Sequence, residues 1–161
     1  MLDWSVALAA VLQVVPAACP AGPAALPAEL AGWRDAAPVT AGRTSAGAPF
    51  IAVGRGARAT LHPVAVVAFP VRPAKAGPGA HGGMLAFDAA RAGRYRVALS
   101  VPGWLEVVRD GRAVGSVAHA HGPRCSGVRK MVDFDLRPGR HILEIAGAAD
   151  ATATVLVTYI G

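Results

Sequence analysis

Aromatic and charged side chains are scarce in this chain. Only 6% of its 161 residues are aromatic and 16% are charged. Nucleic-acid-binding proteins usually concentrate basic residues in a run or stripe and interleave aromatic residues that stack on bases. The 16 Lys and Arg residues are instead mostly single arginines spread along the sequence, and they give a net charge of +6. The sequence therefore indicates no nucleic acid partner and predicts a mildly cationic surface that attracts anionic ligands.

Long apolar runs are also absent beyond one N-terminal stretch. Residues 5–18, SVALAAVLQVVPAA, are uncharged but too few to span a bilayer as a stable anchor. The stretch has the length of a signal peptide and ends in small residues, although the segment before it contains Asp3 and no basic residue. We expect a signal peptide over 1–17, a periplasmic or secreted mature protein, and no transmembrane segment.

Only two cysteines are present, Cys19 and Cys125. In an exported chain the simplest arrangement is one disulfide between them, which would pin the mature N-terminus to the body of the protein. Pro16 stands where lipid attachment at Cys19 requires an aliphatic residue, so lipidation is disfavoured. If the two thiols stay unpaired instead, Cys125 is available as a ligand or nucleophile.

Glycine and proline, in contrast, are abundant, with 19 and 13 residues. This content is incompatible with long helices and suits short strands joined by tight turns. A chain of 161 residues is one domain's worth of sequence and buries enough surface to fold without metals. We therefore predict an all-β fold, built as a single antiparallel β-sandwich.

The first half of the chain combines an irregular segment with short strand patterns. Residues 18–49 are rich in Ala, Pro and Gly and lack alternation, apart from one helical turn in PAELAGW. We expect them to form a lead-in that packs on the domain through Leu30 and Trp33, and we expect residues 50–161 to form the sandwich. The first strands are predicted over 50–53, 57–62 and 64–71, and a loop follows.

Alternation is clearer in the second half. In GRYRVALSV, the alternate residues from Tyr95 to Val101 are apolar and share one face, while Arg94, Arg96 and Ser100 share the other. This is the pattern of a strand buried on one face. Further strands are predicted over 130–136, 141–147 and 151–160.

A hairpin is predicted over residues 104–118. Asp110 and Gly111 supply the two positive φ angles that a type I′ turn requires. In the strand that follows, Asp133 and Asp135 are expected on the solvent side.

The strand pairs of the second half carry a resemblance. FDAARAGRYRVALSV and DLRPGRHILEIAGAADATATVLVTYI, within residues 83–160, resemble the jelly-roll modules of exported bacterial proteins. Carbohydrate-binding modules and the pre-peptidase C-terminal domain are examples. The resemblance implies a sandwich of jelly-roll type, and such sandwiches host many functions.

A second resemblance attaches to HAHGPRCSGVRKMVDFDLRPGR. This segment is similar to a group of short, exported alphaproteobacterial proteins of unknown function. Some of them carry the label homogentisate 1,2-dioxygenase, which implies an iron-dependent oxygenase.

Two histidines of this segment are candidate metal ligands. His119 and His121 sit at positions i and i+2, so both imidazoles project from one face if the strand continues through them. Such a pair can chelate a metal, with His81 as the best third ligand and Cys125 as the next if it is unpaired. Asp133 and Asp135 are the options for a carboxylate ligand. Two histidines and an oxygen ligand suit Zn or non-haem Fe. The alternative is a pair of exposed histidines at a strand end, with no cofactor.

The same segment offers a cationic site. Arg124, Arg129 and Lys130 flank Cys125 and are suited to holding a carboxylate, sulfate or phosphate. Trp104 begins the hairpin out of phase with its apolar neighbours, so its indole is expected on the opposite face, where it would stack on a sugar ring. The alternatives are a solvated basic loop and a tryptophan that caps the core.

Motifs for nucleophilic catalysis and phosphate transfer are missing. The sequence has no Gly-x-Ser-x-Gly elbow and no glycine motif that precedes a helix. We therefore expect an exported, non-catalytic module that binds a small-molecule or glycan ligand, with association with the envelope surface as a further option. The alternative is a small His-ligated metalloprotein, a dioxygenase-like enzyme as the label of the similar proteins implies.

Overall fold

The structure, a computed structural model, describes residues 18–161, so the expected signal peptide lies outside the described residues. Short strands dominate these residues, accompanied by two 3₁₀ helices, Ala28–Trp33 and Val64–Val66. Neither helix has the length or the apolar character needed to cross a membrane. The strands are β1 Ala37–Thr40, β2 Ala57–Thr60, β3 His62–Pro63, β4 His81–Ala89, β5 Gly93–Leu99, β6 Trp104–Arg109, β7 Arg112–Val114, β8 Ser116–Ala120, β9 Lys130–Leu136, β10 Gly139–Ala148 and β11 Thr152–Tyr159.

The strands form two sheets packed face to face, which confirms the predicted all-β sandwich. One sheet has six strands in the order β1-β2-β11-β5-β9-β8, and the other has five in the order β3-β4-β10-β6-β7. All pairs are antiparallel except β1 with β2, which are parallel. The sandwich therefore begins before residue 50, because the expected lead-in contributes β1. The jelly-roll connectivity stays a prediction.

The core lies between the two sheets and consists mainly of the alternate, inward-facing residues of the strands, which we call the core rows. Tyr95, Val97 and Leu99 of β5 are buried against the inward-facing residues of the opposite sheet. Leu143 and Ile145 of β10 belong to the same cluster. The cluster also contains Val132, Phe134 and Leu136 of β9, Leu105 and Val107 of β6, and Val155 and Val157 of β11. The period-2 pattern of the second half therefore predicts the core correctly.

The predicted hairpin is correct at its turn and wrong in its second strand. Asp110 and Gly111 have φ angles of 51° and 73°, as the type I′ turn requires. The returning strand β7 nevertheless ends at Val114, and after Gly115 the chain crosses to the other sheet, where β8 pairs with β9. The segment predicted as the second strand of the hairpin is therefore divided between the two sheets, with β7 in one and β8 in the other.

The largest error of the sequence-based strand prediction is β4. The glycines of AHGG indicate a loop, yet Gly82 and Gly83 lie inside a strand between β3 and β10. A Cβ atom on Gly82 would lie 2.5 Å from the Ile145 carbonyl oxygen, and one on Gly83 would lie 2.5 Å from the Ala41 Cβ. The glycines are therefore required by close packing, which a sequence does not show.

The expected strands over 50–53 and 64–71 are also wrong. The first makes only an isolated bridge from Phe50 to Ala86. The second begins with a 3₁₀ turn and then continues without strand pairing. Its alternate apolar residues pack on the outer face of the five-stranded sheet, so they are partly buried without joining a sheet. These residues are Val67, Phe69 and Val71.

The outer face of the six-stranded sheet is covered by the segment that contains the first 3₁₀ helix. Leu30 and Trp33, which are buried as expected, pack on Ala98, Met131 and Leu156. These three residues face away from the sandwich interior. The N-terminal segment therefore forms a third layer over this part of the sheet.

The prediction that Asp133 faces solvent is wrong, because Asp133 forms an ion pair beneath this layer. Its side chain is buried, whereas Asp135 is exposed as expected. Arg96 donates from Nε and Nη2 to the two carboxylate oxygens of Asp133 at 2.8 and 2.9 Å, and its Nη1 lies 3.4 Å from Oε1 of Glu29 in the helix. Burial of such a pair is tolerated because the fork geometry satisfies both carboxylate oxygens.

A second buried carboxyl lies under the strap of residues 67–71. Glu144 on β10 is fully buried, and its Oε1 accepts a hydrogen bond of 3.0 Å from the Val71 backbone N–H. Its Oε2 has no hydrogen-bond partner among the described residues. Burial, together with Glu106 directly opposite on β6, raises the pKa of Glu144 to about 7.

Glu144 makes the stability depend on pH. Between the ordinary pKa of 4.5 and about 7, the unfolded chain loses a proton that the native carboxyl keeps. The free energy of unfolding therefore falls as the pH rises through this window, by roughly 2–3 kcal/mol. We expect Glu144→Gln to remove this part of the slope in urea unfolding measured from pH 4.5 to 8. Asp88→Asn, at an exposed position of the same sheet, should keep it; equal slopes in the wild type and Glu144→Gln would contradict the assignment.

Candidate functional site

A cleft of about 890 Å³ lies beside the loop that joins β8 to β9. Its walls come from the end of β8, from that loop and from the turn between β5 and β6. The lining residues are Cys19, Pro102, Gly103, His119, Ala120, His121, Gly122, Pro123, Arg124, Cys125, Gly127, Val128, Arg129 and Lys130. The segment with the most unusual residues in the sequence therefore forms a concave surface, which we call the basic cleft.

The disulfide predicted from the two cysteines closes one side of the basic cleft. Cys19 and Cys125 are bonded, with their Cα atoms 5.6 Å apart and a separation of 106 positions in sequence. The bond ties the N-terminal segment to the loop. It leaves no free cysteine, so the alternative role of Cys125 as a metal ligand or nucleophile is excluded.

Hydrogen bonds hold the loop in a compact turn next to the disulfide. The Ser126 hydroxyl donates to the Pro123 carbonyl at 2.6 Å and accepts from the Val128 N–H at 3.1 Å. The Trp33 indole N–H donates to the Ser126 carbonyl at 3.1 Å, which links the turn to the N-terminal layer. The shape of this side of the cleft is therefore fixed by one covalent bond and by local hydrogen bonds.

The three cations predicted to form a site all line the basic cleft. Arg124 and Arg129 are exposed, and Lys130 is half-buried. The Arg129 backbone is anchored because its N–H donates to the Leu99 carbonyl at 2.9 Å. The guanidinium of Arg129 makes no hydrogen bond or ion pair with the part of the chain that the structure describes. It is free to meet a ligand that enters the cleft.

Lys130 is held at the wall that faces the β5–β6 turn. Its ammonium donates to the Gly103 carbonyl at 2.7 Å and lies 5.9 Å from the centre of the Trp104 ring. Burial lowers the pKa of Lys130, and repulsion from Lys75 lowers it further. Gly103 belongs to the cleft, and sequence reasoning missed it, because a backbone carbonyl leaves no residue-type signal.

Trp104 lies on the outer face of the five-stranded sheet, opposite to the inward-facing Leu105, as its phase predicts. It is only half-buried, but it does not line the basic cleft. Lys130 lies between the indole and the cleft. Next to it, burial raises the pKa of Glu106, and a hydrogen bond with Trp104 opposes that rise. A sugar ring stacked on Trp104 would therefore lie beside the cleft and not inside it.

His119 and His121 line the cleft but do not assemble the expected metal site. The His121 Nδ1 donates to the Arg129 carbonyl at 3.3 Å, and the His119 Nε2 lies 3.4 Å from the Ser116 hydroxyl. His81 opens β4 in the five-stranded sheet, whereas the other two lie at the end of β8 in the six-stranded sheet. Among residues 18–161, no three His, Cys, Asp or Glu side chains are grouped so that they could hold a metal ion.

The described residues therefore do not bring His119, His121 and His81 together. The i, i+2 spacing shows that two side chains share one face of a strand, but it says nothing about where a third ligand lies. The fold assigns the third histidine to the other sheet. His119 and His121 are exposed at the end of β8.

No known family model matches the chain, and no curated protein matches it. The function is therefore argued from the cleft itself.

The disulfide is expected to contribute strongly to stability because it closes a loop of 106 residues. Loss of the cross-link should lower the free energy of unfolding by about 4 kcal/mol, since the unfolded chain gains conformational entropy. Urea unfolding with and without a phosphine reductant measures this change. The double variant Cys19→Ser/Cys125→Ser should have the same free energy of unfolding as the reduced protein, and the reductant should not change it. A wild type that is equally stable in both conditions would contradict the expectation.

Proposed function

We propose that this protein is an exported β-sandwich module that binds an anionic ligand, a small anion or an acidic glycan, in the basic cleft. The observation that carries the proposal is the charge of the lining. Three cationic side chains, Arg124, Arg129 and Lys130, line one cleft, and none of the described residues that line it is Asp or Glu. A concave surface with charges of one sign concentrates ligands of the opposite sign.

The donors in the cleft suit carboxylate, sulfate or phosphate oxygens. Arg129 presents a guanidinium that no described residue engages, and a guanidinium can donate two parallel hydrogen bonds to such a group. Lys130 adds a partly desolvated charge at the opposite wall, where attraction to an anion is less screened than at an open surface. The arrangement supports binding of an anion with two or more oxygens.

The rigidity of the loop supports binding over a merely solvated basic surface. The disulfide at Cys125 and the Ser126 hydrogen bonds fix the backbone between the cations. A site whose backbone is fixed in advance loses less conformational entropy when the ligand binds. The proposal therefore requires no rearrangement of the loop.

Export is part of the proposal because of the cross-link. Disulfides persist in oxidising compartments such as the periplasm and the extracellular space, and they are rare in the cytosol. The Cys19–Cys125 bond closes most of the chain into one loop, so its reduction would affect the whole N-terminal layer. A periplasmic or secreted location is therefore proposed together with the binding role.

Titration calorimetry at low ionic strength tests this function. We expect sulfate and a galacturonate tetramer to bind, whereas neutral maltotetraose does not. Arg129→Gln should weaken the binding of both anions about tenfold, because charge-assisted hydrogen bonds are lost. Added sodium chloride should weaken it further. The comparison of sulfate with the tetramer shows whether the site takes a small anion or prefers an acidic glycan.

Arg55→Gln is the matched control, since Arg55 is exposed and does not line the basic cleft. It changes the net charge by the same amount as Arg129→Gln. Equal losses of affinity in the two variants would show that the anion senses only the overall charge. That result, or binding of maltotetraose as tight as that of galacturonate, would overturn the proposed function.

A further inference from the structure

A second cleft opens at one end of the sandwich, between the β6–β7 hairpin and the turn from β9 to β10. Its volume is about 520 Å³. It shares no lining residue with the basic cleft, so it is a separate surface. We call it the end cleft, and its lining residues are Arg109, Asp110, Arg112, Ala113, Val114, Asp135, Leu136, Arg137 and His141.

Two polar residues of the end cleft occupy positions where the core rows predict apolar ones. On β6, Arg109 follows Leu105 and Val107 on the inward face, and on β10, His141 shares the inward face with Leu143. Val107 pairs with Leu143, so the same register extended by two residues places Arg109 beside His141. The interior of the sandwich therefore ends in a polar layer at this cleft.

Both residues carry a buried polar atom without a partner. The His141 side chain is only 1% exposed, yet its Nε2 has no hydrogen bond within residues 18–161. The same holds for the Arg109 Nη1, which is also buried. Buried polar atoms in native proteins almost always have partners, so two unpartnered atoms in residues that line one cleft indicate a molecule that binds there.

The hydrogen-bonding roles of the two atoms are opposite. The His141 Nδ1 donates to the Gly139 carbonyl at 2.9 Å, and burial lowers the pKa of the imidazole, so the ring is neutral and its Nε2 is an acceptor. Stacking on Phe87, at 5.4 Å between ring centres, fixes the ring in place. The Arg109 Nη1 is a donor. A molecule that satisfies both must accept one hydrogen bond and donate another.

The rim of the cleft selects for negative charge. Arg112 and Arg137 line it together with Arg109, against two carboxylates, Asp110 and Asp135. Asp135 already receives two hydrogen bonds from Arg94, at 2.9 and 3.3 Å. Asp110 lies 3.7 Å from the Arg109 Nε and is 91% exposed. The cationic groups therefore outnumber the carboxylates that are left to oppose an anion.

We propose that the end cleft is a second binding site, which takes a small carboxylate that carries a hydroxyl group, such as a sugar acid. The carboxylate accepts from Arg109 Nη1, and the hydroxyl donates to His141 Nε2. A hydroxyl alone can satisfy both buried atoms but brings no negative charge to the arginines of the rim, and a carboxylate alone leaves the imidazole nitrogen without a donor. The site is independent of the anion site proposed for the basic cleft.

Binding of D-glucuronate tests the end cleft, with D-glucose and cyclohexanecarboxylate as probes that lack the carboxylate and the hydroxyls respectively. In the wild-type protein, ¹⁵N NMR of the His141 imidazole reports the site directly. We expect glucuronate to shift the Nε2 resonance and to bind about tenfold or more tightly than either partial probe. Glucose lacks the charge-assisted hydrogen bonds to the arginines, and cyclohexanecarboxylate leaves the imidazole nitrogen without a donor. No shift of the Nε2 resonance with glucuronate would overturn the proposal.

Two substitutions separate this site from the basic cleft. His141→Phe keeps the stacking on Phe87 but removes the acceptor, and Arg109→Met removes the donor. Made in the Arg129→Gln background, where the basic cleft binds weakly, each should weaken glucuronate binding about tenfold. If His141→Phe does not fold, the affinity of Arg109→Met and the His141 Nε2 resonance of the wild-type protein still test the proposal. Arg129→Gln, in the basic cleft, should leave the His141 shift intact. If it abolishes that shift, or if both end-cleft variants bind glucuronate as tightly as Arg129→Gln alone, the proposal fails.

Discussion

The Cys19–Cys125 bond is the constraint on which the rest of the structure depends. It links the N-terminal segment, which has little regular structure, to the loop that lines the basic cleft. This segment lies on the outer face of the six-stranded sheet. Leu30 and Trp33 can then pack on outward-facing apolar residues of the sheet, and the Trp33 indole bonds to the loop itself. The stability of this layer and the shape of the cleft thus have one common cause.

Both outer faces of the sandwich are covered in part, but by different means. The six-stranded sheet is covered by the disulfide-bound N-terminal layer, with the Arg96–Asp133 pair buried beneath it. The five-stranded sheet is covered by the strap of residues 67–71, which buries Glu144. Concave surfaces remain in the described residues at the β8–β9 loop and at the end of the core rows. This distribution explains why the proposed sites are built from turns and strand ends, with the sheets as a rigid scaffold.

The sequence predicts those parts of the fold in which side-chain pattern and environment agree. Strands β5, β9 and β11 alternate cleanly, and the Asp110–Gly111 turn has one favoured geometry, so these elements are where the pattern places them. The cationic residues of the basic cleft are also brought together as predicted, because they are close in sequence. The disulfide follows from there being only two cysteines.

The remaining features depend on long-range packing. Strand β4 looks like a loop because its glycines are needed for close approach to other strands, and Asp133 looks solvent-exposed because the layer above it lies more than a hundred residues earlier in the chain. The same holds for His81, which the topology assigns to the sheet opposite His119. His141 and Arg109 carry no motif at all. Only their positions at the ends of core rows mark them as unusual.

The central claim is that the disulfide shapes the anion site, and affinity in the two redox states tests it most directly. The galacturonate tetramer is titrated into oxidised and reduced protein at a temperature where both keep a β-type far-ultraviolet spectrum. The account predicts that the reduced protein binds at least about tenfold more weakly, because the loop that carries the cations must then be ordered by the ligand. Equal affinity in the two states would contradict it.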